Sequence, residues 1–240
     1  QIVISSSDAT ATAGDLLAIE GKTTVIIDAS EVTAISGSFN QITTLYGSDG
    51  VIGLGNENIT STEDLTVAAA NVFDNLTKGT VTAEIDPTET VDSLVNLTGT
   101  NAYTIVISAE DATSSTAAKF NAINSATSVA VDMTNVTALA ASTLSDVNTL
   151  ALAIKDWRNT DQIRNGGRLT TVAISDSTID ATALATAIDN LDVINLGSTT
   201  DMTLASGATI NVDAEEVTQY KMLLDAVSYT HLTLPTRCLG

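Results

Sequence analysis

Cysteine, histidine and proline are nearly absent from this 240-residue sequence: there is one Cys, one His and two Pro. A disulfide framework needs paired cysteines and a zinc site needs several Cys or His ligands, so both are excluded. Basic residues are scarce as well. Nine Lys and Arg stand against 29 Asp and Glu, a formal net charge of −20. Nine cations cannot neutralise a phosphate track against that charge, which excludes nucleic acid as a partner. The same balance disfavours an anionic membrane surface, and no membrane insertion is expected. What remains is ordinary for a folded domain: 44% hydrophobic residues and only 16% charged ones, unlike a disordered acidic tail.

The two ends read differently from the middle. Repeats begin at Ile2 with no capping segment, whereas a finished repeat array normally carries one, so residues 1–227 are expected to be a fragment of a longer array. Ser228 to Gly240, SYTHLTLPTRCLG, holds His231, Cys238 and Pro235 and loses the Asp/Ala/Thr texture. It resembles translated sequencing-adapter read-through, and residues 228–240 are expected to be a non-native or disordered tail.

Internal repetition is the strongest signal. Ile2 to Ile19 (IVISSSDATATAGDLLAI) returns as Ile105 to Ile123 (IVISAEDATSSTAAKFNAI), an offset of 105 − 2 = 103, with Asp8 matched by Asp111. Val172 to Ile188 and Ile59 to Leu76 are further copies, the latter with Asp64 in the Asp8 place. A second element runs VIIDASEVTAI, VAVDMTNVTAL and INVDAEEVTQY, each a short apolar run followed by Asp28, Asp132 or Asp213. Apolar runs near Ile2, Val25, Val51, Thr80, Thr104, Val129, Thr170, Val193 and Ile210 read as strands. Stripes at helical spacing cover Ala181 to Leu191, Thr143 to Trp157 and Glu215 to Val227, with shorter helices from Gly14 and Thr66. Asp213 and Glu216 read as an N-cap and its partner. Short continuous apolar strands alternating with helices favour parallel pairing through right-handed crossovers. The expected fold is therefore α/β: an elongated repeat solenoid with a parallel sheet and short helices. The alternative is a set of tandem β-sandwich-like domains. Lys155 to Arg168 interrupts the pattern with four of the nine basic residues and the sole Trp, and is expected to protrude as a loop.

Chemistry-bearing motifs are few. Calcium needs several oxygen ligands at short spacing; the weak candidates are Asp28, Asp132, Asp213 and Asp49, and no EF-hand loop or Gly-Gly-x-Gly-x-Asp nonapeptide array exists. Asp28, Asp132 and Asp213, like Asp8, Asp64 and Asp111, follow strands and precede turns or helices, so accepting the free N–H groups there is their simpler use. Calcium is thus the one cofactor left open, and no catalytic or cofactor-binding residue is assigned. Acid pairs for glycoside hydrolysis cannot be singled out among so many carboxylates, and the eight aromatics are scattered, from Phe39 and Tyr46 to Tyr229. Gly50 to Gly55, GVIGLG, lacks the order and the Lys of a phosphate loop. Thr10 and Thr12 have the spacing of an ice-binding face, but the threonines drift from repeat to repeat.

The units Ser5 to Val25, Thr60 to Val81 and Ser108 to Val129, with GVIGLGNENIT at Gly50 to Thr60, resemble repeat regions of giant bacterial surface proteins. These are the Asp/Thr/Ala-rich arrays of cyanobacterial and marine exported adhesin-like or haemolysin-type proteins, in which helices end before a Thr-Gly step; Gly21-Lys22-Thr23 and Lys78-Gly79-Thr80 stand at that step here. The segment around Trp157 and the missing nonapeptides depart from that pattern. The resemblance implies a non-catalytic structural or adhesive module of a cell-surface or secreted protein. Its implied partners are other repeats of the same chain, surface polysaccharide and a host or cell surface. The competing reading is a carbohydrate-binding or polysaccharide-degrading β-solenoid module.

Overall fold

Short apolar runs alternating with Thr-rich runs and amphipathic stretches give short strands and short helices in turn. The computed structural model describes residues 1–111, 113–155, 163–164, 169–194 and 200–211. Over these residues the chain is α/β, with seven α-helices and parallel sheets. Two compact units divide it: Gln1–Val106 with Ser125–Val129, and Ile107–Asn124 with Ala130–Gly240.

In the first unit each early coil runs strand, corner, strand, helix. The first is β1 (Ile2–Val3), β2 (Thr10–Thr12) and α1 (Ala13–Glu20). The second is β3 (Ile27–Asp28), β4 (Ala34–Gly37) and α2 (Phe39–Tyr46). The third is β5 (Val51–Ile52), β6 (Asn58–Ser61) and α3 (Val67–Leu76). β7 (Val81–Glu84) with α4 (Val91–Leu94) and then β8 (Ala102–Thr104) follow. The ladders run β1-β3-β5 and β2-β4-β6-β7-β8. Register partners are 24 residues apart where Ala34 meets Asn58, 22 where Ile59 meets Val81 and 20 where Thr82 meets Ala102.

Register makes a core column and a solvent column. Ala11, Ile35, Ile59 and Val81 are successive partners and point inward; Ile35, Ile59 and Val81 are 1%, 0% and 0% exposed. Leu16 of α1, Ile42 and Leu45 of α2, and Ala70 and Phe73 of α3 are buried too, so the helices close the core over the sheet. Hydroxyls start these helices: Thr12, Ser38 and Thr66 accept from the N–H of Asp15, Gln41 and Ala69, and Gln41 completes a capping box with Ser38. Buried Tyr103 of β8 donates to Ala70 O (3.3 Å) and accepts from Asn101 Nδ2 (3.1 Å), whose amide also donates to Asp74 Oδ1 (2.8 Å). Burial pushes the Tyr103 phenol above its ordinary pKa, and the Asp74 charge adds to the shift.

The second unit has longer coils; Thr170 reaches back 33 residues to Thr137. It contains α5 (Ala117–Ser125) up to Asn124, then β9 (Val131–Asp132), β10 (Ala138–Ser142), α6 (Leu144–Lys155), β11 (Ile163–Arg164), β12 (Thr171–Ile174), β13 (Thr178–Asp180), α7 (Ala181–Ile194), β14 (Asp201–Leu204) and β15 (Thr209–Asn211). β10-β12-β14, β9-β11 and β13-β15 pair in parallel. Leu139, Val172 and Met202 form its core column.

Several expectations change. Every strand pair among the described residues is parallel, which antiparallel sandwich domains do not give. Val193 lies in α7 rather than a strand, because the helix that starts at Ala181 continues to Ile194. Within the segment expected to protrude, Ile163–Arg164 instead pairs with β9. Ile163 is a single apolar residue between Gln162 and Arg164, but it is fully buried, and that burial holds it in the ladder. Trp157, the Glu215 to Val227 stripe, the Asp213 cap and the tail 228–240 lie outside the described residues.

Candidate functional site

The repeated Asp ends a first strand and folds the corner after it. Asp28 Oδ1 accepts from Ser30 N–H (3.1 Å), and its Oδ2 accepts from Gln1 Nε2 (3.0 Å). Asp132 Oδ1 accepts from the N–H (2.9 Å) and hydroxyl (2.7 Å) of Thr134. Asp86 does the same with Thr88, at 2.9 and 2.7 Å. These are Asx turns, in which the carboxylate stands in for a backbone carbonyl. The hydroxyl and backbone N–H of Ser30 hold the Asp28 carboxyl below its ordinary pKa; the backbone N–H and then the hydroxyl of Thr88 do so for Asp86. Asp86 was not picked out from the sequence. Its signal is the triplet shared by Asp28-Ala29-Ser30, Asp86-Pro87-Thr88 and Asp132-Met133-Thr134: an Asp after an apolar residue, with a hydroxyl two places on.

Of the calcium candidates, Asp28 and Asp132 belong to different units, Asp49 lies in the exposed turn before β5, and Asp213 is outside the described residues. Among the described residues no group of three or more His, Cys, Asp or Glu side chains is placed to share a metal ion. Asp8 ends a 3-10 turn, Asp111 accepts from the Ser108 hydroxyl at 3.3 Å, and Asp64 is exposed in the loop before α3.

A second use of acids was not legible in the sequence. Phe39 N–H, at the start of α2, donates to Glu63 Oε1 of the next coil at 2.8 Å. Val67 N–H, at the start of α3, donates to Glu89 Oε1 at 2.9 Å. In the second unit Ala117 N–H of α5 meets Ser142 Oγ (2.9 Å), and Leu144 N–H of α6 meets Asp176 Oδ2 (2.7 Å). Helix N-termini leave N–H groups without intrahelical partners and favour negative charge. Here a side chain of the following coil completes the helix of the one before.

The same junction shapes a surface groove of about 360 Å³ lined by Phe39, Glu63, Asp64, Leu65, Thr66, Ala68, Ala69 and Val72. Its floor is apolar, and Phe39 stacks on Phe73 at 5.7 Å between centroids. Glu63 at its rim is engaged with Phe39 N–H, and the Thr66 hydroxyl accepts from Ala69 N–H. No Ser, Cys, His or Lys is among these lining residues. The groove therefore offers contact area and negative charge.

The outer face of the five-stranded sheet is different in character. Thr12, Ser36, Thr60 and Thr82 are successive register partners, and Thr10, Ala34 and Asn58 form the row beside them. The hydroxyls that drift in the sequence are thus aligned in space, because coil length changes in the corners and helices rather than in the ladder. None of these seven side chains is charged, although Glu84, two residues beyond Thr82, carries a carboxylate on the same face. Among the described residues no helix is long and apolar enough to cross a membrane. In comparisons with known proteins, the chain matches no family model, no curated protein and no solved structure.

Proposed function

We propose that this chain is a non-catalytic structural and adhesive repeat module of a large bacterial cell-surface or secreted protein. In this reading its coils continue as one elongated solenoid. The observation that carries it is the junction between coils: strands extend the ladder of the preceding coil, and an acid or hydroxyl completes the preceding helix. Such a design repeats the same contacts instead of converging different groups on one point, which suits a spacer or an extended contact surface. The acidic surface keeps a long array soluble and self-repelling. The Thr12–Ser36–Thr60–Thr82 row supports an adhesive role, since it aligns four hydroxyls on one exposed face, with Glu84 beyond Thr82 at its margin.

The test is retention of beads carrying the chain on bacterial cells and insoluble polysaccharides, read together with release of soluble sugar. Retention without sugar release is the expected result. Sugar release, lost when Glu63 and Asp64 are replaced by Ala, would assign the groove to a polysaccharide-degrading module instead.

A further inference from the structure

We propose that the groove between the start of α2 and α3 docks a basic peptide segment of another protein, one in which a Lys or Arg follows a large apolar residue two places on. This docking role is independent of the role at a cell surface. The floor receives the apolar group. Phe39, Leu65, Ala69 and Val72 line it, and Val72 is 38% exposed, a large apolar side chain of α3 left toward solvent. The volume of about 360 Å³ is at the small end for a ligand pocket. It suits the side chains of an extended segment rather than the surface of a folded domain.

The rim selects the sign of the partner. Glu63 and Asp64 line the groove, and no Lys, Arg or His does. The start of a helix normally favours an anion. Here Phe39 N–H already donates to Glu63, Val67 N–H to Glu89 and Ala69 N–H to the Thr66 hydroxyl, so these donors are taken. An anionic ligand thus meets carboxylates without those donors, whereas a cation is attracted. Asp64 is exposed, and among the described residues no N–H, hydroxyl or cation reaches its carboxylate. An exposed ion pair alone is worth little, so the apolar side chain has to bind as well. In an extended segment residues i and i+2 point to one side. An apolar-x-basic triplet therefore presents both groups to the groove together.

The experiment is fluorescence anisotropy of a labelled peptide, Ser-Leu-Ser-Arg-Ser, titrated with the full chain at about 0.15 M salt. The parent should bind it. Replacing the peptide's Arg by Glu should abolish binding, and replacing its Leu by Ser should weaken binding by about tenfold or more, the worth of burying a Leu side chain. On the protein, Asp64→Lys should abolish binding and Asp64→Asn should weaken it. Asp49→Lys makes the same change in net charge at an exposed turn outside the groove and should bind like the parent. Amide shifts of the unaltered chain give a readout that needs no variant: the peptide should move the signals of Glu63 to Val72. No binding up to about 1 mM peptide, equal binding of the Leu-free peptide, or equal loss in Asp49→Lys and Asp64→Lys would each overturn the proposal. So would shifts at Glu63 to Val72 caused by a neutral oligosaccharide and not by the peptide, since the groove would then belong to a sugar.

Discussion

Glu63 accepts, through Oε1, a hydrogen bond from the backbone N–H of Phe39, 24 residues earlier and one coil back. The bond ties the start of α2 to the loop before α3, so the second coil is completed only when the third is in place. Glu89 repeats the arrangement on Val67. Replacing Glu63 with Ala should cost about 0.5–2 kcal/mol, the range for loss of a helix-capping group, and Glu63→Gln should cost less because its amide oxygen still accepts. Urea unfolding of the two variants checks this. Equal losses would mean that the carboxylate acts by charge alone.

The Asx turns give a signed pH prediction. The Asp86 carboxyl lies below its ordinary value of 3.8, through the N–H and hydroxyl of Thr88. A depressed folded value means the stabilisation is present above the ordinary value and lost as pH falls through the lowered one. Acid also relieves repulsion within a chain of charge −20, which acts the other way. The informative quantity is therefore the difference between the parent and Asp86→Asn, since Asn keeps the turn but does not titrate. The parent's stability relative to Asp86→Asn should fall on acidification through that range. A constant difference would remove Asp86 from the titrating groups.

Two glycines that look alike in sequence should behave oppositely. Gly21 caps α1 with φ −64°, and an added Cβ meets only Leu17 O and Ala18 O at 3.5 and 3.8 Å. Gly79 has no such room, because a Cβ there would sit on the carbonyl of Glu57. Gly21→Ala should stabilise by about 0.4–1 kcal/mol through the unfolded chain, and Gly79→Ala should destabilise by more than that. Thermal unfolding of both variants decides the matter.

Those two sites also show how far the sequence was legible. The Gly-Lys-Thr and Lys-Gly-Thr steps share composition, but only the backbone of the neighbouring coil distinguishes them. The first strands of most coils could be read, because IVI, VII and VAV are continuous apolar runs. The second strands, Thr10–Thr12, Ala34–Gly37 and Asn58–Ser61, could not, since Thr, Ala, Ser and Asn form strands there only through their partners in register. α2 escaped although Ser38 and Gln41 spell a local capping box. The turn use of Asp28 and Asp132 was legible because the bond spans two residues. Glu63, Glu89 and Asp176 were not, because each partner lies a whole coil away.

Tyr103 offers a check on the interior of the first unit. Its hydroxyl bridges Asn101 Nδ2 and Ala70 O, and burial raises its pKa. In an alkaline absorbance titration of the folded protein, Tyr103 should stay protonated until the fold is lost. Tyr103→Phe should remove that late step and cost about 1–3 kcal/mol for the groups left without a partner. A titration that Tyr103→Phe leaves unchanged in its late step would contradict the buried hydrogen-bonded hydroxyl.

The central claim is that coils continue as one elongated solenoid, and small-angle X-ray scattering of the monomer tests it most directly. A compact chain of 240 residues has a radius of gyration of about 18 Å. The account predicts a clearly larger radius, with a pair-distance distribution skewed to long distances and a single narrow cross-section. A radius at the compact value with a symmetric distribution would contradict it.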